Sequence, residues 1–294
     1  MKNLINIELK KAICSKFFVF GVLLLLVFAM YSAAFMIENR VAYNPDQILQ
    51  FYADENGVFD VNPDLPLFTS YSSWVGGEEI SLGTVAFYYM LPIAVAIPFA
   101  WSYHTERKSG YLKNIASRTD KKKYFIAKTI AVFTSGVLTV LVPILINIFL
   151  IFAFVPSIDP FPGYTFYNHL FIGDMWIERY YDNPILYMVL YVMLDTIYGG
   201  IFALLSFATA FYVKNMLAIL FIPFISVIAI GYLQEIMIAN IEMSVRYEFN
   251  PTVCLHSLHY GGQRMWYVIW GIALILLLFS LGTIFIRGFN DEIF

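Results

Sequence analysis

The segment Phe17–Ile37 is an unbroken apolar run, FFVFGVLLLLVFAMYSAAFMI, and it constrains the fold more than any other feature of the chain. A run of about 20 apolar residues spans the roughly 30 Å hydrocarbon core of a bilayer as a helix. The rest of the chain agrees, because its mean hydropathy is +0.70 and only 13% of its residues are charged. A membrane β-barrel would instead alternate apolar and polar residues. The sequence therefore predicts an all-α polytopic membrane protein.

Six hydrophobic stretches of this kind predict six transmembrane helices within a single transmembrane domain that covers residues 1–294. The predicted spans are 17–37, 84–104, 124–154, 185–213, 216–238 and 266–286. Residues 38–83 form a long polar loop between the first two spans, and residues 105–123 form a short basic loop between the second and third. The basic loop is too short to fold as a separate catalytic domain.

The basic residues are distributed unevenly between the two sides that six spans define. Fourteen of the 18 Lys and Arg fall on the side of the termini, and eight of those lie between Glu106 and Ile130. The other side holds four Arg and most of the acidic residues. Cytoplasmic loops carry an excess of Lys and Arg. We therefore expect a multi-pass protein of the bacterial plasma membrane with both termini in the cytoplasm.

The first sixteen residues, MKNLINIELKKAICSK, have the pattern of a short basic amphipathic helix. Leu9, Ala12 and Ile13 fall on one helical face, and Lys10 and Lys11 lie opposite. Such a helix lies along a membrane surface, so we expect residues 1–16 to contact membrane lipid. A cleavable signal peptide is the less favoured interpretation, because the apolar run that follows is long enough to remain as a span.

Motifs for catalysis and nucleotide binding are missing from the sequence. No G-x-x-x-x-G-K-[ST] phosphate loop, nucleophile elbow or matched intramembrane carboxylate pair is present. His256 and His259 form an H-x-x-H pair near Cys254, but a zinc site needs further ligands, so loop packing or hydrogen bonding is the preferred interpretation. We expect no catalytic residue, no metal and no cofactor in this chain, and no nucleic-acid partner.

Three polar residues interrupt the hydrophobic stretches, namely Asn147, Asp195 and Glu235. A carboxylate at mid-membrane costs at least about 2.5–3.5 kcal/mol on insertion scales, so Asp195 should face protein or water. It either lines a substrate path or subunit seam, or is hydrogen-bonded to a Tyr or Thr within the bundle. Both interpretations stay open, and Asn147 and Glu235 are further candidates for the same path or seam.

The basic loop has an internal order that topology alone does not explain. The loop and the start of the next span read ERKSGYLKNIASRTDKKKYFIAKTI from Glu106 to Ile130. This sequence predicts a short helix over Tyr111–Ser117. This helix would carry a small apolar knob with basic flanks. The apolar knob consists of Tyr111, Leu112 and Ile115, and its basic flanks are Lys113 and Arg118. An apolar knob on such a loop packs on the membrane surface or enters a groove on a partner.

Two stretches of the chain resemble the membrane subunits (permeases) of ABC-2 type ATP-binding cassette exporters. NLINIELKKAICSKFF looks like the family's amphipathic elbow helix and the start of its first span. The basic loop resembles the family's loop between spans two and three, with an E-x-x-x-G formed by Glu106 and Gly110, a basic run, and a Lys at the start of the next span. The resemblance covers the layout of the whole chain but residue motifs only in these two stretches.

The resemblance implies a transport subunit that is not an enzyme by itself. It implies a separately encoded nucleotide-binding ATPase, which would carry the ATP and Mg, and a second permease copy, identical or paralogous. The short helix would be the coupling helix that seats in the ATPase. The docking residues implied are Glu106, Gly110, Tyr111, Leu112, Lys113, Ile115 and Arg118. Export, with the substrate path inside the bundle, is also implied by the resemblance.

Other functions stay open at this point. A gradient-driven secondary transporter or channel usually carries several mid-membrane charges, of which Asp195 and Glu235 provide few. A peptide-antibiotic immunity or sensing permease would share the physics of an exporter and differ in its biology. Peptide, lipid-like, drug and ion substrates are all compatible with the sequence.

Overall fold

The regular structure of the chain is helical, as the sequence predicts. A computed structural model of the protein describes residues 1–42, 68–116, 119–160, 174–239, 247–257 and 264–289. The helices in these ranges are α1 (Lys2–Ile13), α2 (Lys16–Ala42), α3 (Leu82–Ala96), α4 (Ser102–Lys108), α5 (Tyr111–Ala116), α6 (Lys121–Phe154), α7 (Ile177–Asp182), α8 (Pro184–Thr209), α9 (Met216–Ile238), α10 (Pro251–Cys254) and α11 (Trp266–Phe289). The all-α class is therefore confirmed.

Five of these helices, α2, α6, α8, α9 and α11, are long and apolar enough to cross a membrane. They coincide with five of the predicted spans, apart from small shifts at their ends. Continuous apolar runs form helices in a bilayer because a helix satisfies all backbone hydrogen bonds within one segment. The chain is a multi-pass helical membrane protein.

The predicted second span, 84–104, contains a shorter apolar helix, α3, of 15 residues. After Ala96 the chain passes through a turn over 97–101 and then continues as α4. Pro98 explains the interruption, because proline has no backbone N–H to donate to the carbonyl of Ala94 and its ring crowds the preceding turn. The apolar stretch is thus divided between a helix and a turn.

Contacts between segments distant in sequence define two ends of the helix bundle. We call the end that carries α1, α4 and α5 the basic end. One cluster of aromatic rings lies there, formed by Tyr103, Phe125, Phe211 and Phe289. Their centroids lie 4.6 to 6.5 Å apart. The start of α6, the end of α11 and the residues after α8 therefore meet beside α4. The opposite end carries the start of α3, together with α7 and α10.

α8 is the central helix of the bundle, since 72% of its most apolar stretch is buried, compared with 22% to 33% in the other four candidate spans. Its closest approach is to α6. A methyl group added to Gly136 would lie 2.6 Å from the carbonyl oxygen of Gly199, so the two backbones are in near contact. Small residues permit this approach between membrane helices, which gain little from hydrophobic burial in lipid.

The segment 68–81 at the opposite end is folded into the bundle. Its Trp74 is fully buried. The amide of Val75 donates to Oδ1 of Asn147 in α6 at 2.9 Å, and the Asn147 amide donates to the carbonyl of Ala29 in α2 at 2.7 Å. Asn147 therefore links two spans to this segment, which explains why an amide is placed within an apolar helix.

Ser81 caps the start of α3, and its hydroxyl accepts a hydrogen bond from the amide of Thr84 at 3.1 Å. Glu78 lies just before this cap and binds it. Its buried carboxylate accepts hydrogen bonds from the amides of Ile80 and Ser81 at 2.7 and 2.8 Å. It also accepts from the hydroxyls of Ser32 (2.7 Å) and Thr84. The first amides of a helix lack partners within the helix, and a carboxylate there is favoured by the helix dipole.

Candidate docking site at the basic end

α4 and α5 are two short helices at the basic end, and Gly110 makes the turn between them. Gly110 has a φ of +74°, a left-handed conformation that glycine adopts without steric cost. The preceding amide, of Ser109, donates to the carbonyl of Thr105 at 2.9 Å and closes α4. α5 begins directly afterwards at Tyr111, as the sequence predicts for the short helix.

Four charged side chains join α1, α4 and α6 at this end, and we call them the charge network: Glu8, Lys11, Glu106 and Lys128. Nζ of Lys128 lies 2.5 Å from Oε2 of Glu106 and 3.5 Å from Oε2 of Glu8. Nζ of Lys11 lies 2.7 Å from Oε1 of Glu8 and 3.6 Å from Oε1 of Glu106. Each ammonium group therefore contacts both carboxylates, and the four charges balance.

The charge network is largely shielded from water. The side chains of Lys128 and Glu8 are buried, that of Glu106 is 14% exposed and that of Lys11 is 34% exposed. Burial alone would raise the pKa of Glu106, but the charge and hydrogen bond of Lys128, the hydroxyl of Tyr124 and the charge of Lys11 together hold that pKa below its ordinary value. Burial opposes the charge of Lys11 in the same way, yet its carboxylate neighbours raise the pKa of Lys11.

Aromatic rings extend the charge network to α5. Nζ of Lys128 lies 4.8 Å from the ring centroid of Phe99, and the Tyr124 hydroxyl donates to Glu106 at 2.5 Å. Nζ of Lys11 lies 4.8 Å from the ring centroid of Tyr111 and 3.4 Å from its hydroxyl oxygen. Cation–π contacts of this kind strengthen as the cation loses water. α1, α4, α5 and α6 are thus connected through one set of contacts.

The structure corrects the expected apolar knob on α5. Leu112 is fully buried in the core of this chain, and Ile115 is partly buried against the same core. Tyr111 is 39% exposed, so its ring is the apolar part of the knob that a partner can reach. Leu112 is therefore an internal anchor of α5 rather than an exposed docking residue, because the turn at Gly110 folds α5 back onto the bundle.

The other implied docking residues have separate places in this arrangement. Glu106 belongs to the charge network, and Gly110 makes the turn. The side chain of Lys113 and the whole of Arg118 lie outside the described residues. The docking role itself stays a prediction.

Asn147, Asp195 and Glu235 have different surroundings in the described part of the chain. Asn147 links α2 and α6 to the segment 68–81. Asp195 is buried in α8 and accepts a hydrogen bond from the hydroxyl of Tyr88 at 2.9 Å. Glu235 lines a cavity of about 330 Å³ at the opposite end, which neither of the other two residues lines. Of the two interpretations of Asp195, the structure shows hydrogen bonding to a tyrosine within the bundle.

Arg264 at the opposite end is a buried cation. Its guanidinium lies 2.5 Å from Oδ1 of Asp174 and donates to the carbonyl of Ser257 at 2.8 Å and to the carbonyl of His256. An arginine bound in this way holds three chain segments together, since its planar group presents several donors in fixed directions. The site is a structural clamp built mainly on backbone acceptors.

The histidines considered as metal ligands are not assembled into a described metal site. His256 is buried, and its ring centroid lies 4.0 Å from that of Tyr88. His259 lies outside the described residues. Within the ranges that the structure describes, no group of three or more His, Cys, Asp or Glu is placed to hold a metal ion. The position of His256 fits the packing interpretation.

The sequence reasoning did not single out Glu8, and it used Lys128 only as the Lys at the start of the third span, with no partner assigned. Glu8 is the single acidic residue among the first sixteen, and Lys128 lies inside the predicted third span, 124–154. A charge within a span is costly unless it is paired. An acid on the interfacial helix and a base inside a span together signal an ion pair, and this signal was readable from the sequence.

Comparisons with known protein families, with curated proteins and with solved structures find no match for this chain. A functional assignment therefore rests on the geometry of the basic end and on the two stretches that resemble ABC-2 permeases. The arrangement at the basic end can hold α5 in a fixed relation to α1 and α6, so that a displacement of α5 would be passed to a membrane span.

Proposed function

We propose that the chain is the permease subunit of an ATP-driven ABC-2 type exporter in a bacterial plasma membrane, with both termini in the cytoplasm. A separate ATPase docks at α4 and α5, and a second permease copy completes the transporter. Besides the five long helices, the proposal includes the predicted second span, 84–104, which contains α3, the turn at 97–101 and the first residues of α4. The observation that carries the proposal is the charge network, which ties the candidate docking helix to α1 and α6.

A docking helix transmits movement only if it is fixed to the span that it moves. Leu112 anchors α5 in the core, and Tyr111 contacts Lys11 of α1. Glu106 joins α4 to Lys128 of α6 at 2.5 Å. ATP would then bias the bundle toward one arrangement, since a ligand shifts an equilibrium only by its differential affinity for the two states.

The test is a surface substitution on α5, Tyr111→Asp, followed by affinity purification from native membranes. A P-loop ATPase should copurify with the unchanged chain and be lost from the variant, because a charge replaces the exposed ring at the contact. Tyr247→Asp is the matched control, since Tyr247 is 42% exposed, lies at the opposite end and belongs to none of the candidate spans. Leu112→Asp is unsuitable, because it places a charge in the core of the chain itself.

Two results would overturn this proposal. One is a Tyr111→Asp variant that retains the ATPase as fully as the Tyr247→Asp control does. The other is purification of the unchanged chain with no P-loop protein at all. Membrane insertion and yield of both variants, measured in the same preparation, show that a lost partner is not the result of a lost fold.

A gradient-driven transporter is the second candidate, and one observation favours it. Asp195 is fully buried in the central helix, and its Oδ1 has no hydrogen-bond partner among the described residues. A carboxyl group inside a membrane bundle is a place where a proton can bind. Purified protein in liposomes that contain a pH-sensitive dye would then carry protons down an imposed gradient, and Asp195→Asn would abolish that flux. Proton-tight liposomes with the unchanged chain would eliminate this candidate.

A further inference from the structure

A cleft lies beside α4 at the basic end, on the side away from the charge network, and we call it the basic cleft. Its volume is about 510 Å³. The residues that line it are His104, Arg107, Lys108, Ala210, Phe211, Tyr212, Val213 and Lys214. Three of the basic side chains come from α4 and the fourth comes from the connection between α8 and α9. The fold therefore gathers around one cavity charges that are far apart in the sequence.

α4 separates its charges onto two faces. Positions 104, 107 and 108 are spaced i, i+3 and i+4, so their side chains share one face of the helix. The single acidic residue of α4, Glu106, is directed to Lys128 and Tyr124 in the charge network. Among the residues that the structure describes, those that line the cleft include no carboxylate. The acid of α4 is thus directed away from the cleft, and the three basic side chains of the helix are directed towards it.

The basic cleft also has the composition of a membrane boundary. Tyr212 is 60% exposed, and the guanidinium of Arg287 in α11 lies 5.3 Å from its ring centroid, which adds a further cation beside the cleft. Tyrosine and basic residues gather where spans meet the lipid headgroups. Phe211 and Val213 give the cleft an apolar wall next to its charged one. This pairing suits a ligand with an anionic group attached to an apolar body.

We propose that the basic cleft binds a phosphoryl anion, carried either by an anionic phospholipid or by a soluble phosphate compound. Arg and Lys bind phosphate oxygens through charge-assisted hydrogen bonds, which are stronger than neutral ones. Control of topology requires positive charge on this side of the membrane, but it does not require four basic side chains around one cavity. The inference is independent of the proposed transport function, because it rests on the cleft alone.

The experiment uses the purified full chain, stripped of lipid in detergent and titrated under native mass spectrometry. The three probes are phosphatidylglycerol, phosphatidylcholine and inorganic phosphate. The cleft variant combines Arg107→Gln, Lys108→Gln and Lys214→Gln. The control variant combines Lys122→Gln, Lys123→Gln and Arg179→Gln, which removes the same charge from exposed positions that neither line the cleft nor belong to residues 1–16. Thermal unfolding shows whether both variants keep the fold.

The unchanged chain should hold one phosphatidylglycerol more tightly than phosphatidylcholine. Each basic residue near an anionic group contributes about fivefold in affinity, so the cleft variant should bind about 100-fold more weakly, while the control variant binds nearly as the unchanged chain does. Competition by inorganic phosphate at comparable affinity would identify a soluble ligand, and its absence would identify the lipid. Equal losses in the two variants, or no preferred anionic adduct, would overturn the proposal. If the cleft variant fails to fold, the single change Lys214→Gln, with an expected loss of about fivefold, replaces it.

Discussion

The two ends of the helix bundle each bury a salt bridge of 2.5 Å, but the two are built differently. At the basic end, Lys128 and Glu106 belong to a balanced set of two acids and two bases from three helices. At the opposite end, Arg264 pairs with Asp174 and donates further hydrogen bonds to two backbone carbonyls. The first is an arrangement of side chains, whereas the second fixes a cation to the backbone.

This difference indicates which end can move. Each ammonium group of the charge network has two carboxylate partners, so a small shift of one helix leaves every charge with a counterion. The guanidinium of Arg264 is matched to one arrangement of the backbone and resists such a shift. We infer that the basic end is suited to transmit movement and that the opposite end is suited to hold its connections in place.

The largest expected effect comes from removing the central cation of the charge network. Lys128→Met leaves Glu8 and Glu106 with only the half-exposed Lys11, and breaking a buried pair in this way costs about 3–5 kcal/mol. Thermal unfolding of the purified protein in detergent measures the loss. Lys123→Met removes an exposed lysine from the same helix and should change the free energy of unfolding by less than about 0.5 kcal/mol.

A rescue variant makes this first test specific. Combining Lys128→Met with Glu8→Gln and Glu106→Gln removes the uncompensated carboxylates and should recover much of the lost stability. A Lys128→Met protein as stable as the Lys123→Met control would show that the charge network behaves as a weak surface arrangement, and the contrast between the two ends would then disappear.

A pair of conservative exchanges sharpens the comparison. Arg264→Lys should cost about 2 kcal/mol, because one ammonium group cannot reach Asp174 and both backbone carbonyls in the geometry of the guanidinium. Lys11→Arg at the edge of the charge network should be close to neutral, since Lys11 is partly exposed and its partners are side chains that can adjust. Unfolding in detergent measures both changes. Equal costs would contradict a rigid opposite end.

Acid titration should weaken the charge network in a defined pH window. The pKa of Glu106 is lowered in the folded protein, so its stabilising contribution is complete above the ordinary value of 4.5 and is lost as the pH falls through the lower folded value. The melting temperature should therefore fall less steeply below about pH 4.5 in Glu106→Gln than in the unchanged chain. Glu178→Gln, at an exposed carboxyl of α7, is the control. Superimposable profiles for Glu106→Gln and the unchanged chain would refute the pairing.

The smallest expected effect is a difference in thiol reactivity between the two ends, which labelling measures without changing the fold. Cys14 at the basic end is exposed, whereas Cys254 at the opposite end is buried, and this burial raises the pKa of the Cys254 thiol to about 12. A maleimide at neutral pH should label Cys14 alone, because the thiolate is the reactive form. Cys14→Ser should then remove labelling from the folded protein, with Cys254 labelled only after denaturation. Rapid labelling of Cys254 in the folded Cys14→Ser variant would contradict a closed opposite end.

Much of the fold was predictable because it depends on local properties of the chain. The apolar run Phe17–Ile37 predicts α2, since the length and hydropathy of a segment decide whether it can span lipid as a helix. The residues after Gly110 predict the short helix α5, which is also a local property of the chain. The division of the predicted second span at Pro98 was not predictable from proline alone, because Pro92, Pro143 and Pro223 lie inside continuous helices.

The candidate site was predictable only in part. The sequence placed Glu106 and Gly110 in one loop with the short helix, but it assigned Leu112 to the exposed surface and left Glu8 out. The orientation of a six-residue helix depends on which neighbours it meets, and no periodic pattern can be read from so few residues. The partners of Lys128 lie on α1 and α4, far from it in the sequence, so only their approach in space reveals the balance of charge.

The amino-acid sequence by itself determined that this protein is helical, that it crosses a membrane several times, and where its positive charge is concentrated, because hydropathy and charge are properties of each segment taken alone. Tertiary structure decided which charges are paired, which face of α5 is exposed, and which basic residues share a cleft. The physical reason is that burial and counterions are supplied by neighbours distant in the chain, and their identity is fixed only when the helices pack.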